Sequence, residues 1–466
     1  MDYIKLEGYT VLPARVEGSP DVFQCPRFVL MKPAWIPDSD SSFCNLCNVK
    51  FSQIKRKHHC RMCGAVRCAK CCNEKISLPQ LGLVEPERVC EDCRDVCRTV
   101  SRARSSLESV LIDAAKCLAS FCQQDKQIKH VVELGGMQSL IMLAVTENVG
   151  VLAHVASGLH TLSTHPSLHK YLAEAGAIKA ICRILSRIGD SREEVAIDAI
   201  SALMIFCRSQ DLKNKALNDG GLKSLLSLCW SERAAISLLA ISTLGLIVEN
   251  TGNHEAIFES QHDAVARLLQ MTTSEDEQIQ EVTLKTLAFL SMGGPVHKHK
   301  LLQEDFSTGR CLERAFNSCP SNSQILSNAA CVIANLATSE EDQMAMHELM
   351  AAVSRKLPGS ERHTELMCHL TRALANFSQF KPNVFHLLDA VPAVMSHVLR
   401  SGPAPAREQA LRFLLNLLAH APDQVSSLLV KNDAYIFLTT LGESKSLLEN
   451  VSSSLAHSAP AVMKPM

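Results

Sequence analysis

CNLCNVKFSQIKRKHHCRMCGAVRCAKC, Cys44 to Cys71, holds three Cys-x-x-Cys pairs and sets two adjacent histidines directly before the second of them. A fourth pair, Cys90/Cys93, follows. A pair at this spacing turns two thiolates towards one ion, and eight thiolates complete two tetrahedral zinc sites. Closed sites of this kind are structural, because no position is left for a catalytic water. A stretch of about fifty residues has too little core to fold alone. Zinc binding, on the order of 10–16 kcal/mol per structural site, would hold it together. With eight cysteines available, His58 and His59 are assigned to the surface rather than to the metal. Flanked by Arg56, Lys57 and Arg61, they form a compact cluster of charge-assisted donors, whose natural guest is a phosphorylated headgroup.

The basic charge is local. The chain has 466 residues and a formal net charge of -1, yet Cys44 to Arg98 carries eleven Lys or Arg against six Asp or Glu. A chain of this length holds two or more domains and shows no global bias towards nucleic acid. The N-terminus, MDYIKLEGYT, places Asp2, Lys5 and Glu7 where a secretory signal needs an apolar core. The longest uncharged apolar run, Ala234 to Val248, is fifteen residues, short of the roughly 20 that span a bilayer. The twenty cysteines therefore read as reduced thiols and metal ligands. Eleven of them fall between Cys25 and Cys97, so two kinds of domain are expected.

Three separated signatures, WIPD (Trp35 to Asp38), RKHHCR (Arg56 to Arg61) and RVC (Arg88 to Cys90), together with the eight cysteines, closely resemble the FYVE zinc finger family over residues 33–98. The resemblance implies two zinc ions in cross-brace order, Cys44, Cys47, Cys68 and Cys71 on one, Cys60, Cys63, Cys90 and Cys93 on the other. It also implies phosphatidylinositol 3-phosphate as ligand. Arg56, Lys57, His58, His59 and Arg61 would surround its phosphates, Arg88 would close the pocket, Asp38 would accept from inositol hydroxyls, and Trp35 would belong to the same site. Cytoplasmic residence, peripheral on early endosome membranes, follows from that ligand. The chain departs from the family at the membrane-inserting tip, where FSQIK (Phe51 to Lys55) offers Ile54 alone while Phe51 is expected inside the finger. One buried isoleucine contributes about 1.5–3 kcal/mol, so a second contact or a dimer is expected to be needed.

From about residue 103 the pattern changes to apolar-periodic helices. The segments CLASFC, GLHTLS, ALMIFC, TLGLIV, TLAFLS, VIANLA, ALANFS and FLLNLL recur with a period near 42 residues, counted on their second positions from Leu118 to Leu414. Glycine turns such as ELGGMQ and NDGGLK precede several of the apolar helices. Glycine turn, helix and second helix at this period resemble armadillo repeats, with the HEAT class as the neighbouring alternative. The expected architecture is thus a small zinc-stabilised cross-brace finger plus an all-α armadillo-like solenoid of about eight repeats over residues 103–455. Residues 1–32, with Gly8, Gly18, Pro20 and Pro26, read as a partly disordered lead, the alternative being a strand packed on the repeats. A capping helix is expected from Glu443 and a tail at 456–466. In peptide-binding armadillo proteins an asparagine near the end of the second helix holds a partner's backbone, and Asn335, Asn376 and Asn416 occupy that position here.

No phosphate-cradling glycine loop, nucleophile elbow or paired-carboxylate context is present, so a non-enzymatic adaptor is the leading expectation. It would bind phosphatidylinositol 3-phosphate in membranes through the finger and a protein partner, unidentified, through the solenoid. A ubiquitin ligase using the cross-brace as a RING-like surface is the alternative. RING fingers usually include a histidine ligand, whereas here all eight are cysteines. A nucleic-acid finger would need base-reading aromatics or a recognition helix, and neither is seen, so no nucleic-acid partner is expected.

Overall fold

The computed structural model describes residues 3–260, 263–318 and 322–432; the expected capping helix, the end of the repeats and the tail lie outside these residues. The chain divides into two compact units, one reaching Ile247 and one starting at Val248.

In the first unit, three two-stranded antiparallel ribbons precede the helices. They are β1 (Ile4–Leu6) with β2 (Tyr9–Val11), β3 (Lys57–His59) with β4 (Val66–Cys68), and β5 (Glu74–Leu78) with β6 (Leu83–Val89). Two-stranded ribbons of three to seven residues are marginal alone. The cysteines, not the ribbons, must therefore supply the stability of residues 44–93. The finger closes on the helix Glu91–Arg102, which carries the ligand Cys93 and buries Val96, Cys97 and Val100. The next helix, Glu108–Cys122, follows after five intervening residues and packs on it, so finger and first repeat share one core.

Residues 3–32 are not the partly disordered lead that their Gly and Pro content suggests. Val11, Val22, Phe28 and Leu30 are buried. The segment is tied to the repeats by Ala14 N–H donating to the Val132 carbonyl (3.0 Å), Val22 N–H to that of Ala175 (3.1 Å) and an ion pair from Lys179 to Asp21 (2.8 Å). Leu30 N–H donates to the Gln80 carbonyl in the finger (2.7 Å). The physical reason lies in the repeats themselves. Gly135 and Gly176 take positive φ (88° and 92°) at the turns between helices, where side chains are strained. They also leave room for the lead: a Cβ on Gly135 would meet Leu30 at 2.8 Å, and one on Gly176 would meet Asp21 at 2.5 Å.

The eight recurring segments end eight long helices: Glu108–Cys122, Val149–Ser163, Glu193–Phe206, Ala234–Val248, Glu277–Leu290, Ser323–Leu336, Thr364–Phe377 and Ala404–His420. Their aligned second residues, Leu118, Leu159, Leu203, Leu244, Leu287, Ile333, Leu374 and Leu414, are all fully buried. Within the first unit the first three of these helices pack in chain order, and within the second unit the last four do the same. The period of the sequence is therefore the pitch of a helix stack, each repeat burying its apolar face on its neighbours. Among the described residues no single helix is long and apolar enough to cross a membrane.

Candidate functional site

The Sγ atoms of Cys44, Cys47, Cys68 and Cys71 all lie within 4.8 Å of one another, and so do those of Cys60, Cys63, Cys90 and Cys93. Zinc–sulfur bonds of about 2.3 Å in a tetrahedron require sulfurs about 3.8 Å apart. Cys47 and Cys68 stand at 3.6 Å and Cys63 and Cys90 at 3.9 Å, so both tetrads fit the ion. The chemistry of the thiols fits as well. Burial is the largest influence on Cys44 and raises its pKa, but backbone N–H groups of Cys68, Leu46 and Cys47 together bring it down to about 6. Cys60 lies far below its ordinary value because the thiols of Cys63, Cys72, Cys90 and Cys93 surround it, and Cys90 N–H donates to its sulfur (3.3 Å). At least one thiol of each tetrad, Cys44 and Cys60, is thus held towards thiolate, the form that binds metal, while burial raises Cys71 and the neighbouring Cys60 raises Cys63. The sulfur positions of the two tetrads fit two zinc ions in the cross-brace order expected.

The pairs interleave because β3 and β4 join them. His58 lies opposite Arg67 and Lys57 opposite Cys68, so the strand bearing the basic residues runs between the two tetrads. Leu46, Val49 and Phe51 pack on the first tetrad, which places Phe51 inside the finger. Ile54 sits at the tip of the turn Ser52–Lys55 and is 92% exposed.

The WIPD segment is held against this strand. Ile36 N–H donates to the Gly64 carbonyl (3.1 Å), and Gly64 takes a φ of 73°. Trp35, half exposed, stacks on His59 with ring centroids 4.6 Å apart and planes 16° from parallel. The Arg61 guanidinium lies over the Trp35 ring at 4.5 Å and pairs with Glu87 at 3.1 Å. The His59 Nε2 faces the Ile36 carbonyl at 2.9 Å and the Asp38 carboxylate at 3.8 Å. The Lys57 ammonium donates to the Asp38 backbone carbonyl. Arg88 arrives on β6, whose carbonyl at that residue accepts from Arg61 N–H (2.9 Å), and its guanidinium donates to the Cys72 carbonyl (3.0 Å). Burial first, then the charges of Arg88 and Arg56, push the His58 imidazole below its ordinary pKa.

Trp35, Asp38, Lys57, His59 and Arg61 are thus joined by direct contacts. Arg88 is hydrogen-bonded to Arg61 through the backbone, and Arg56 and His58 lie on the same segment. Three features of the site carry no sequence signal. Glu87 steers Arg61. Cys72 is a buried thiol outside both tetrads, set against Cys60. Arg67 is 9% exposed, and although burial opposes its charge, the neighbouring Cys90 and Cys63 more than offset that.

Asn335, Asn376 and Asn416 do fall at equivalent positions on successive helices. Their carboxamide N–H groups donate to carbonyls of the preceding helix, those of Ala288 (3.3 Å), Ala334 (2.7 Å) and Ala375 (3.1 Å). The donor half of each amide therefore ties neighbouring repeats together. Ile205, Leu246 and Phe289, at the same position in earlier repeats, are half-buried.

Residues 34–99 match the FYVE zinc finger family. Zinc finger FYVE domain-containing protein 16 of Mus musculus is 35% identical over 126 residues, which make up 26% of this chain and 8% of that protein. Among solved structures, an engineered protein superposes with a TM-score of 0.63, covering 78% of this chain and 88% of its own at 21% identity. A computationally designed armadillo repeat protein for modular peptide recognition superposes with a TM-score of 0.44 over 51% of this chain and 98% of its own, at 19% identity. The chain therefore carries a FYVE zinc finger at residues 34–99, followed by an armadillo-like helical solenoid.

Proposed function

We propose that the chain is a non-catalytic adaptor that binds phosphatidylinositol 3-phosphate through Arg56, Lys57, His58, His59, Arg61 and Arg88, and recruits a protein partner to that membrane through its helical repeats. The observation that carries this reading is the cationic face around Trp35 and Asp38, built on the strand between two metal tetrads. Arginine forks and lysine ammonium groups there can exchange internal carbonyl and carboxylate partners for phosphate oxygens. Asp38, its carboxylate beside His59, is left to accept from ring hydroxyls. Trp35 helps fix the orientation of His59 and Arg61 by contacting both with its ring. Early endosomes are the compartment this ligand implies.

Membrane hold is the weak point of the design, because Ile54 is the one large apolar side chain at the Ser52–Lys55 tip. Its partial burial contributes at most about 1.5–3 kcal/mol, so a second membrane contact or self-association is part of the proposal. The test is co-sedimentation of the full chain with vesicles containing phosphatidylinositol 3-phosphate, 4-phosphate or 5-phosphate, with Arg61→Ala as control. Selective binding to the 3-phosphate that Arg61→Ala abolishes supports the reading. Equal binding to all three lipids, or none by a chain holding two zinc ions, overturns it.

A further inference from the structure

The second unit carries a row of cations that its own carboxylates do not neutralise. On the helices Glu277–Leu290, Ser323–Leu336, Thr364–Phe377 and Ala404–His420, the residues one turn before Phe289, Asn335, Asn376 and Asn416 are Lys285, Cys331, Arg372 and Arg412. Positions four apart share a helix face, and these helices pack in order, so the four form one row beside the asparagines. Lys298, from the helix Pro295–Ser307, lies close enough to feel the charge of Arg372.

Among the described residues, none of Lys285, Lys298, Arg372 and Arg412 makes an ion pair, whereas Arg310 of the same unit pairs with Glu313. The Arg372 guanidinium instead reaches the Cys331 carbonyl and sulfur (3.5 Å each) and His369 Nδ1 (3.4 Å), leaving a buried Nε without a partner. Arg412 donates to the Asn376 Oδ1. Burial and then mutual repulsion with Arg372 press both Lys298 and Arg412 below their ordinary values; Glu408, one turn before Arg412, offsets part of this. Glu365 is turned to His369 at 3.8 Å. Beside the cations, the Oδ1 atoms of Asn335 and Asn416 accept no hydrogen bond among the described residues, because only their N–H groups are used between repeats.

This face offers positive charge in a row and bare acceptors alongside it. An extended chain satisfies both demands, since its carboxylates would meet the cations and its backbone N–H groups the amide oxygens. The spacing agrees, because packed helices stand about 8–10 Å apart and an extended chain rises about 3.3 Å per residue. Roughly every third residue would therefore face the next repeat.

Resting on the reading that the repeats recruit a protein, we propose that the Lys285–Arg372–Arg412 face binds an acidic, extended segment of that partner. Carboxylates pair with Arg372 and Arg412, Lys285 extends the contact, and Asn335 and Asn416 accept from the segment's backbone.

The test uses the full chain and fluorescence anisotropy at low salt, with labelled peptides of four Glu-Ser-Gly repeats, four Lys-Ser-Gly repeats and four Gln-Ser-Gly repeats. The glutamate peptide is expected to bind roughly tenfold more tightly than either other, and to lose roughly tenfold in the Arg372→Gln/Arg412→Gln double variant. Since Arg372 also contacts Cys331, two further variants separate charge from fold. Arg372→Lys should retain most of the binding, and Lys285→Glu, at an exposed residue, should weaken it. Equal binding of the three peptides, or glutamate binding unmoved by both the double variant and Lys285→Glu, overturns the proposal. So does a single-stranded oligonucleotide of equal charge that binds more tightly and is lost in the double variant, which would assign the face to nucleic acid. Vesicle binding by the double variant reads the finger separately and is expected to be unchanged.

Discussion

The Ala34 carbonyl oxygen occupies the place where a side chain on residue 64 would begin: a Cβ built on Gly64 would lie 2.4 Å from it. This approach, with the Ile36–Gly64 hydrogen bond, is what sets Trp35 against His59 and Arg61. Gly64→Ala must both strain a positive φ, at about 1–2 kcal/mol, and push WIPD away. Headgroup binding should fall roughly tenfold or more, a loss of about 1.4 kcal/mol or more, and the emission of Trp35 should shift towards that of a more solvated indole. Unchanged vesicle binding would count against the assignment of Trp35 to the site.

Removing zinc should unfold the finger and spare most of the helix content. The tetrads supply on the order of 10–16 kcal/mol each, while the finger's long helix is Glu91–Arg102 alone. A strong chelator is expected to abolish vesicle binding and expose the eight ligand thiols to alkylation, with only a small loss of far-ultraviolet circular dichroism.

Arg67 should matter to the second zinc and not to the first. A tetrathiolate zinc centre carries net negative charge, and burying it needs compensation. Burial opposes the charge of Arg67, yet Cys90 and Cys63, with Asp92 at 3.9 Å, more than offset it. Arg67→Leu is expected to lower bound zinc from two towards one per chain under a mild chelator, and to speed alkylation of Cys60, Cys63, Cys90 and Cys93 selectively. Equal loss from both tetrads would sink this role.

Asp305 predicts a pH effect in the second unit. Burial, the largest cause, raises its pKa to about 6, against the Leu312 N–H that donates to its Oδ1 (2.9 Å). A carboxyl raised above its unfolded value of 3.8 contributes stability that is full below that value and is lost as pH rises through about 6. Asp305→Asn keeps an oxygen acceptor and removes the charge, so it should stabilise the chain by roughly 1–3 kcal/mol near neutral pH. The gain should shrink to nothing near pH 4, which denaturant titration at the two pH values would measure. An equal gain at both would remove the electrostatic cause.

The metal tetrads and the repeat period were readable in the sequence because each is encoded locally, by cysteine spacing and by one buried leucine or isoleucine per 42 residues or so. The partners of those same elements were not. Nothing near Ala14 or Asp21 announces Val132 or Lys179, more than a hundred residues away, so a packed lead looked like loose chain. Asn335, Asn376 and Asn416 were visible as a series, but which half of each amide is free depends on the neighbouring helix's carbonyls. Arg67 looks like one more basic residue until β4 turns it towards Cys63 and Cys90.

The shared core of the finger and the first repeats, bound further by the lead, has a mechanical consequence. A lipid-reading module on a loose tether would leave its cargo free to tumble above the bilayer. Here the helix that supplies Cys93 is also the footing of the first repeat, so once the finger docks, the helices up to Ile247 are aimed. On the proposed reading, a finger docked on a membrane would hold those helices at one angle to it, like a bracket bolted to a wall.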